Sequence, residues 1–532
     1  MKEKTFSEIA GKSTINLISE LIKDNAQDIY YLLAAAPTGK GKSYFVKNDL
    51  YNFCKKHHYK ILYLLPRRVV VDEFKAELAE DKKDDIIEVR TYHSLENNET
   101  HDYSNYFNKY KVVICDECHY FVSDSTFNPY VERSFVRIIK YAPHAIKFYI
   151  TATETPIQDI LTHILDKLNR KLLFLKLENE TPIEEQPMNI KFLKADYEDQ
   201  KEKNIQKILD KIGDTENEEE KDILNNIPNG EKAIVFCDTA KYAHDLWKKH
   251  KNESLFICSR GNEKNKYYLK DIDEAAYNKM LHEHKFDCKY VFCTSALDVG
   301  FSIKDKQLKH IICLLWDWNS IVQAIGRKRI LDDVEDEERD TFTVYLRDYS
   351  NRSIGGLMTE NKKKFEHYNY LKEHGAQAYY DEYEKINDPA KIIYYGRNKN
   401  KEFEPAVSRL VLMYYANNER ILEEINGIKS KWKYQNWVRQ QLKLPPKKDR
   451  TAYGIERDLK PLVDEKKIFV GNAGKKELAK LIGLCDDRGR LLTTPEKINP
   501  ELEKLEVHYR IVKGSRDKET KKQTYYITGQ DE

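Results

Sequence analysis

Residues 34–43 read AAAPTGKGKS, and in a chain with only 20 glycines among 532 residues two of them flank a lysine here. The preceding IYYLL reads as a buried strand, and the following YFVKNDLYNFCKKH sets Val46, Leu50 and Phe53 at helical spacing. A strand, a glycine turn and a helix start make backbone N–H groups converge on a phosphate. Lys42 adds a point charge for the outer phosphates, and the Ser43 hydroxyl reaches a magnesium ion. Ala36 stands where the usual pattern has its first glycine, so the match is A-x4-G-K-S.

Further along, VVICDECH sets Asp116 and Glu117 at the end of an apolar run. The carboxyl end of such a strand is where open α/β sheets bind ligands. One carboxylate there holds magnesium, and its neighbour orients or deprotonates the attacking water. TAT (151–153) ends the next apolar run with two hydroxyls, those of Thr151 and Thr153. TSALDVGFSI (294–303) follows a later one, and QAIGRKRI (323–330) places Arg327 and Arg329 beside a glycine. Arginines suit the stabilisation of charge on a transferring phosphoryl group from across a cleft. Residues two apart on a helix face different ways, so both arginines reach one cleft only if that stretch leaves the helix.

The elements that must position these groups follow from the pattern of apolar runs. KILYLLP (60–66), YKVVICDE (110–117) and IKFYITATE (146–154) read as buried strands alternating with helical sequence. A charge-rich stretch from 178 to 230 interrupts them; KAIVFCD, KYVFCTS, HIICLLWD and TFTVYLRD then resume the pattern up to residue 348. Such alternation argues for parallel sheets covered on both faces, hence two α/β domains in series. Apolar residues make up 40% of the chain and aromatic ones 11%, enough for real cores, and 33% are charged. No apolar run approaches the roughly 18 residues of a membrane span. The start, MKEKTFSEIAGKS, has no apolar signal core, and nine scattered cysteines suit a reducing compartment, so a cytoplasmic protein without a membrane partner is expected. Cys115 and Cys118 have no second C-x-x-C to complete a zinc site and read as core thiols.

Taken in order, APTGKGKS, LPRRVVVDEF (65–74), TYHSL (91–95), DECH, TAT, TSALDVGFS and QAIGRKR resemble the motif set of the superfamily 2 DExH helicases over residues 30–348. The Q-x-x-G-R-x-R form is similar to that of the herpesvirus origin-binding proteins and their phage and plasmid relatives, and duplex-RNA-sensing helicases share it. The resemblance implies RecA-like domains at 1–178 and 179–350, followed by an accessory region at 351–532 that binds nucleic acid or docks a partner. It also implies ATP and Mg2+ as cofactors and nucleic acid, DNA ahead of RNA, as partner. Carried over by motif, Ala36, Pro37, Thr38, Gly39, Lys40, Gly41, Lys42, Ser43 and Gly300 would hold the nucleotide, with Ser43 and Asp116 on the metal. Glu117 would be the base, His119, Thr151 and Thr153 would couple nucleotide state to the domain interface, and Gln323, Arg327 and Arg329 would reach across. Pro66, Arg67, Arg68, Thr91, Tyr92, Thr294 and Ser295 would line the strand track. Many family members carry the second arginine one place later, where Ile330 stands, and Gln27 sits too close to the phosphate loop to read adenine.

Beyond residue 350 the sequence turns helical and rich in tyrosine and lysine. From Lys429 to Arg490 there are 17 Lys and Arg against 8 Asp and Glu, the footprint of a polyanion site or of a solvated face. KSKWKYQNWVRQQLKLPPKK (429–448) reads as a basic helix, and Trp432, four residues after Ile428, favours packing over base stacking. KKELAKLIGL reads as a short helix, and EVHYRIVKGSRDKETKKQTYYITG as two strands about a lysine-rich turn. Helices followed by such a hairpin resemble a winged helix with Lys513, Arg516, Lys518, Lys521 and Lys522 on the wing; a packed accessory domain is the competing reading. The function expected is an ATP-driven helicase or translocase acting in DNA metabolism, the alternative a nucleic-acid-gated ATPase switch without processive unwinding.

Overall fold

The computed structural model describes residues 11–23, 30–36, 41–96, 102–126, 128, 130–176, 188–193, 224, 227–259, 265–294, 302–329, 341–383, 388–397, 403–447, 450–486 and 491–529. They fall into two compact units. The first comprises residues up to 193, 209–347 and 359–421; the second comprises 194–208, 348–358 and 422–532.

The first unit holds two six-stranded sheets. One contains β1 (Tyr30–Ala35), β2 (Ile61–Leu65), β3 (Ile87–Thr91), β4 (Val112–Cys115), β5 (Ile146–Thr151) and β6 (Lys171–Lys176), in the spatial order β3-β2-β4-β5-β1-β6. The other contains β7 (Met188–Leu193), β8 (Lys232–Cys237), β9 (Ser254–Ile257), β10 (Tyr290–Thr294), β11 (Leu308–Cys313) and β12 (Phe342–Arg347), in the order β7-β12-β11-β8-β10-β9. Every ladder in both sheets is parallel. These are two tandem RecA-like α/β domains.

Strand periodicity explains the double burial. Along β2, Leu62 and Leu64 join Tyr31, Leu33, Val113 and Tyr149 in one apolar layer. Ile61, Tyr63 and Leu65 join Leu32, Ala34, Ile114 and Phe148 in the opposite one. Successive side chains point to opposite faces, and helices cover both, so the inner strands are mostly apolar. Each fully buried Leu, Ile or Phe contributes roughly 1.5–3 kcal/mol.

The helix after the phosphate loop departs from the simple pattern. It runs as an α-turn (Lys42–Phe45), a π-turn (Val46–Leu50) and an α-segment (Tyr51–Lys56). The wider turn rotates the apolar stripe, so Val46, Leu50, Tyr51 and Cys54 are buried while Phe53 is only partly covered. The charge-rich stretch expected to break the pattern contributes a strand, β7, paired parallel to β12. Residues 359–421 of the first unit add helices and a hairpin of β13 (Ile393–Arg397) and β14 (Phe403–Val407).

In the second unit the basic stretch forms a shorter helix than expected, Lys433–Gln441, with Trp437 buried and Trp432 at its N-cap under the Lys447 ammonium, 3.8 Å from the ring centroid. Next come helix Ala452–Asp464, β15 (Phe469–Val470), helices Gly471–Ile482 and Pro495–Lys504, β16 (Tyr509–Arg516) and β17 (Gln523–Gly529). The three strands form one antiparallel sheet in the order β15-β17-β16. Its core is Ile455, Leu459, Phe469, Leu478, Ile498, Leu502, Ile511 and Ile527, among others. Lys513 is ion-paired with Glu496, so one of the five basic wing residues is already engaged.

Gly474 is where this core has no room. A Cβ there would lie 2.7 Å from the Phe469 carbonyl carbon and 3.0 Å from its Cα. Gly474→Ala gains about 1 kcal/mol in helix propensity, but overpacking against backbone costs about 1–3 kcal/mol. The expected result is a lower urea midpoint for the second unit, followed by tryptophan fluorescence of the full chain; an unchanged or raised midpoint would show that the helix shifts freely.

Candidate functional site

β1 delivers its chain to the carboxyl edge of the first sheet, where Ala36 N–H still donates to the Thr151 carbonyl of β5 (2.9 Å). Gly41 then takes a left-handed conformation (φ 76°, ψ 25°) and starts the helix at Lys42. A side chain there would be strained, which is why glycine is needed. Lys42 is buried, and its Nζ donates to the Ala36 carbonyl at 3.1 Å, across the mouth of the loop. Ser43 is exposed beside it.

Two strands away, β4 ends in Asp116 and Glu117, both buried. Glu117 sits at φ 48°, a left-handed backbone that costs a non-glycine residue on the order of 1–3 kcal/mol. Its N–H donates to Asp116 Oδ1 (2.8 Å), so the kink is held by the neighbouring carboxylate. Asp116 Oδ2 accepts from the Tyr63 hydroxyl, and Ser43 lies within electrostatic reach of the same hydroxyl. Tyr63 therefore braces one of the two residues expected to hold the metal and lies close to the other. Burial and the adjacent Glu117 raise the Asp116 pKa to about 6, against the pull of Lys42. Burial acts the same way on Glu117, but Lys42, Arg327 and Arg329 outweigh it and hold that carboxylate below its ordinary range. Glu117 is thus the first of the pair to ionise as pH rises.

His119 Nδ1 lies 3.2 Å from Thr151 Oγ1 and 3.4 Å from Glu117 Oε2. Burial pushes its pKa down to about 4, Arg327 and Lys42 adding to the effect while Glu117 opposes it, so the ring is neutral. Thr151 Oγ1 in turn accepts from the Thr153 N–H (3.1 Å). DECH and TAT form one hydrogen-bonded edge.

The second domain brings its residues to the same place by ending a helix. Helix Trp318–Ile325 is capped by Asp317 and stops at Gly326. The chain then turns extended: Ile303 N–H donates to the Arg327 carbonyl (2.7 Å), and Arg329 N–H donates to the Ile303 carbonyl (2.9 Å). In extended backbone, residues two apart share a face. Lys328 points the other way and donates to the Asp305 carbonyl (2.7 Å). Arg327 is locked on Gln323, Nη2 to Oε1 at 2.8 Å and Nε to the carbonyl at 3.1 Å, and Arg329 Nε donates to Ser302 Oγ (3.1 Å). Both arginines act on Glu117.

The strand-contacting expectations divide. Arg67 is held by Asp124 (3.4 Å); Arg68 is exposed and paired with Asp72 (3.6 Å); Pro66 and Thr294 are buried at the ends of their strands. Thr91 caps a turn by accepting from the Ser94 N–H (3.2 Å). Tyr92 requires correction: its side chain is 0% exposed, stacked on Tyr120, and its hydroxyl donates to the Asp116 carbonyl (2.7 Å). An aromatic next to a strand end is drawn inward by its apolar area once its hydroxyl finds a partner. Pro37, Thr38, Gly39, Lys40, Ser295 and Gly300 lie outside the described residues. Sequence reasoning missed Tyr63 and Asp124. The signal for Tyr63 is a tyrosine in an otherwise aliphatic strand, whose buried hydroxyl demands a polar partner.

Tyr92→Phe keeps the stack but leaves the buried Asp116 carbonyl without its donor, a loss of about 1–3 kcal/mol. The expected readout is a lower urea midpoint of the first unit; no shift would mean that Tyr92 does not brace the site.

Comparison with known families places these domains. The profile of the type III restriction enzyme res subunit matches residues 9–155, and that of the helicase conserved C-terminal domain matches residues 215–329. No curated protein matches the sequence. Among solved structures, the DEAD-box helicase Mss116 bound to ssRNA and UDP-BeF is 14% identical with a TM-score of 0.42, the match covering 67% of this chain and 72% of that one. Dbp5 of S. cerevisiae bound to RNA and ADP BeF3 is 14% identical, at 0.40 over 68% and 93%. The DUF1998 helicase MrfA bound to DNA and AMPPNP is 14% identical, at 0.40 over 65% and 50%. A res-subunit match followed by a helicase C-terminal match indicates the tandem domains of an ATP-hydrolysing helicase.

Proposed function

We propose that the chain is a DExH-type helicase or translocase, of the kind found in the origin-binding group, that moves along DNA in replication or related DNA metabolism. The observation that carries this reading is the action of Arg327 and Arg329, from one domain, on Glu117 of the other. A switch of that geometry makes nucleotide state and domain closure one event. The restriction-enzyme description of the first-domain match and the basic hairpin of the second unit support DNA as the polymer. No helix among the described residues is long and apolar enough to cross a membrane, and no disulfide joins the nine cysteines, which supports a cytoplasmic setting.

The residues fit magnesium and ATP. Among the described residues, Glu117 Oε2, His119 Nε2, Thr153 Oγ1 and Gln323 Nε2 are buried without a hydrogen-bond partner. Four motif residues with open polar atoms are what a triphosphate and its attacking water would satisfy. Ser43 and Asp116 would hold the ion, an oxygen donor pair suited to a hard cation, with Gly41 and Lys42 on the phosphates. Bound magnesium-ATP supplies the transferable phosphoryl group. Glu117, kept ionised by its cationic neighbours, accepts a proton from water at Oε2. Arg327, aimed by Gln323, and Arg329, aimed by Ser302, bring positive charge to the developing anion. His119, neutral, reports the Glu117 position to Thr151 and Thr153.

Phosphate-release assays with single- and double-stranded DNA and RNA test the reading. Single-stranded DNA is expected to stimulate most, and a labelled duplex to be unwound. Arg327→Ala should lower turnover roughly 10³-fold or more with nucleotide binding retained, and Arg329→Ala should show a comparable defect. A silent Arg329→Ala would leave Arg327 as the sole finger; loss of nucleotide binding in both would make the pair structural. No stimulation by any polymer would overturn the helicase reading.

Tyr63→Phe removes the hydroxyl that orients Asp116. Partners that orient metal ligands are worth about 10- to 100-fold in metal affinity. The magnesium concentration for half-maximal turnover should rise by about that factor, with the ATP requirement at saturating magnesium nearly unchanged. An unaltered magnesium dependence would confine Tyr63 to packing.

A further inference from the structure

Within the first unit, the hairpin β13–β14 and the start of helix Val131–Tyr141 enclose a cavity of about 280 Å³. Ser125, Asn128, Lys391, Tyr394 and Ser408 are among its lining residues. That volume lies near the lower bound of small-ligand sites, about 300–1,000 Å³, enough for one planar ring system and too little for a duplex. Its rim is unusual in composition. Tyr394 is 44% exposed and Tyr130 43%, whereas most large aromatics of this unit are buried. The Arg133 guanidinium stacks 4.5 Å from the Tyr130 ring centroid. The Tyr394 hydroxyl lies within electrostatic reach of Glu132, Arg133 and Arg409. Glu132 is spoken for, since its Oε1 accepts from the Arg409 N–H at 3.3 Å and the side chain also bonds Ser408. The exposed lining rings of Tyr394 and Tyr395, with Tyr130 beside Arg133, thus lie among two arginines and the exposed Lys391.

This rim continues the face that carries the strand-contacting segments. Ser125 follows Asp124, the residue that holds Arg67 at 3.4 Å. Asn128 Nδ2 donates to Glu96 Oε2 (3.0 Å), and the same carboxylate oxygen pairs with His93 Nδ1 (2.8 Å) in TYHSL. One residue on one side and one carboxylate on the other therefore tie the cavity to both motifs.

We infer that this cavity is a base-stacking subsite, in which an unpaired nucleobase of the bound strand lies against Tyr394 while Arg133, Arg409 and Lys391 meet the flanking phosphates. The inference rests on the nucleic-acid reading above and adds a contact outside the two-domain motif set. The Ser125 hydroxyl and the Asn128 amide are already committed to Val122 and Glu96. Recognition is then by ring face and charge, tolerant of sequence.

The test is the affinity of the full chain for fluorescent oligothymidylate. Base–aromatic stacking is worth about 1–3 kcal/mol per base, so Tyr394→Ala should weaken binding about 5- to 150-fold. Tyr394→Phe, which keeps the ring, should bind nearly as wild type. Photocrosslinking with 5-iododeoxyuridine should label the peptide containing Tyr394, and an unchanged melting temperature shows that Tyr394→Ala remains folded. Wild-type affinity in Tyr394→Ala, or an equal loss in Tyr394→Phe, overturns the stacking site and leaves the helicase reading intact. A wild-type chain that binds no single strand overturns both. If Tyr394→Ala melts early, the crosslink on the wild-type chain decides: label elsewhere on the chain rejects the subsite.

Discussion

Asp116 and Glu117 are adjacent carboxylates with 5% and 9% exposure, and two such charges cannot both stay ionised in so little water without compensation. The compensation comes from two distances along the chain. Lys42, from the phosphate loop, acts on both; Arg327 and Arg329, from the second domain, act on Glu117. The pair therefore splits. The Asp116 pKa rises, with its carboxylate braced by Tyr63 and the Glu117 N–H, while that of Glu117 is held down. Much of the site geometry answers this one electrostatic demand.

The backbone is arranged to serve the same demand. Parallel pairing of β1 with β5, and of β5 with β4, puts the phosphate loop, TAT and DECH on one sheet edge in that lateral order. The left-handed turns at Gly41 and Glu117 redirect the chain there, one with a residue suited to it and one at a cost repaid by a hydrogen bond. Across the cleft, the helix that carries Gln323 ends at Gly326, and a bridge to Ile303 sets two arginines side by side. A continued helix would have turned Arg329 away.

The eight strands that apolar runs foretold are the inner strands of the two sheets. The four that went unread, β3, β6, β7 and β9, are the edges among the described residues. Inner strands are covered on both faces and paired on both sides, so their sequences are mostly apolar on both faces. Edge strands keep polar residues toward water, as Asn189 and Lys191 do in MNIKFL, and lose the signal. The same physics misled the reading of Tyr92, whose polar tip suggested a ligand contact while its ring area drew it into the core.

Sequence alone determined the chemistry: a lysine after a glycine turn, acids after an apolar strand, and arginines after a glycine have few other uses in that order. Spacing along the chain carries such information because each motif is local, set by one strand end and one turn. Tertiary structure alone decided which carboxylate ionises first, that the two arginines share a face, and that Tyr63 braces Asp116. It also decided that the β13–β14 hairpin meets the helix after DECH. Those facts depend on groups that burial and hydrogen bonding bring together from distant segments, and no local pattern records them.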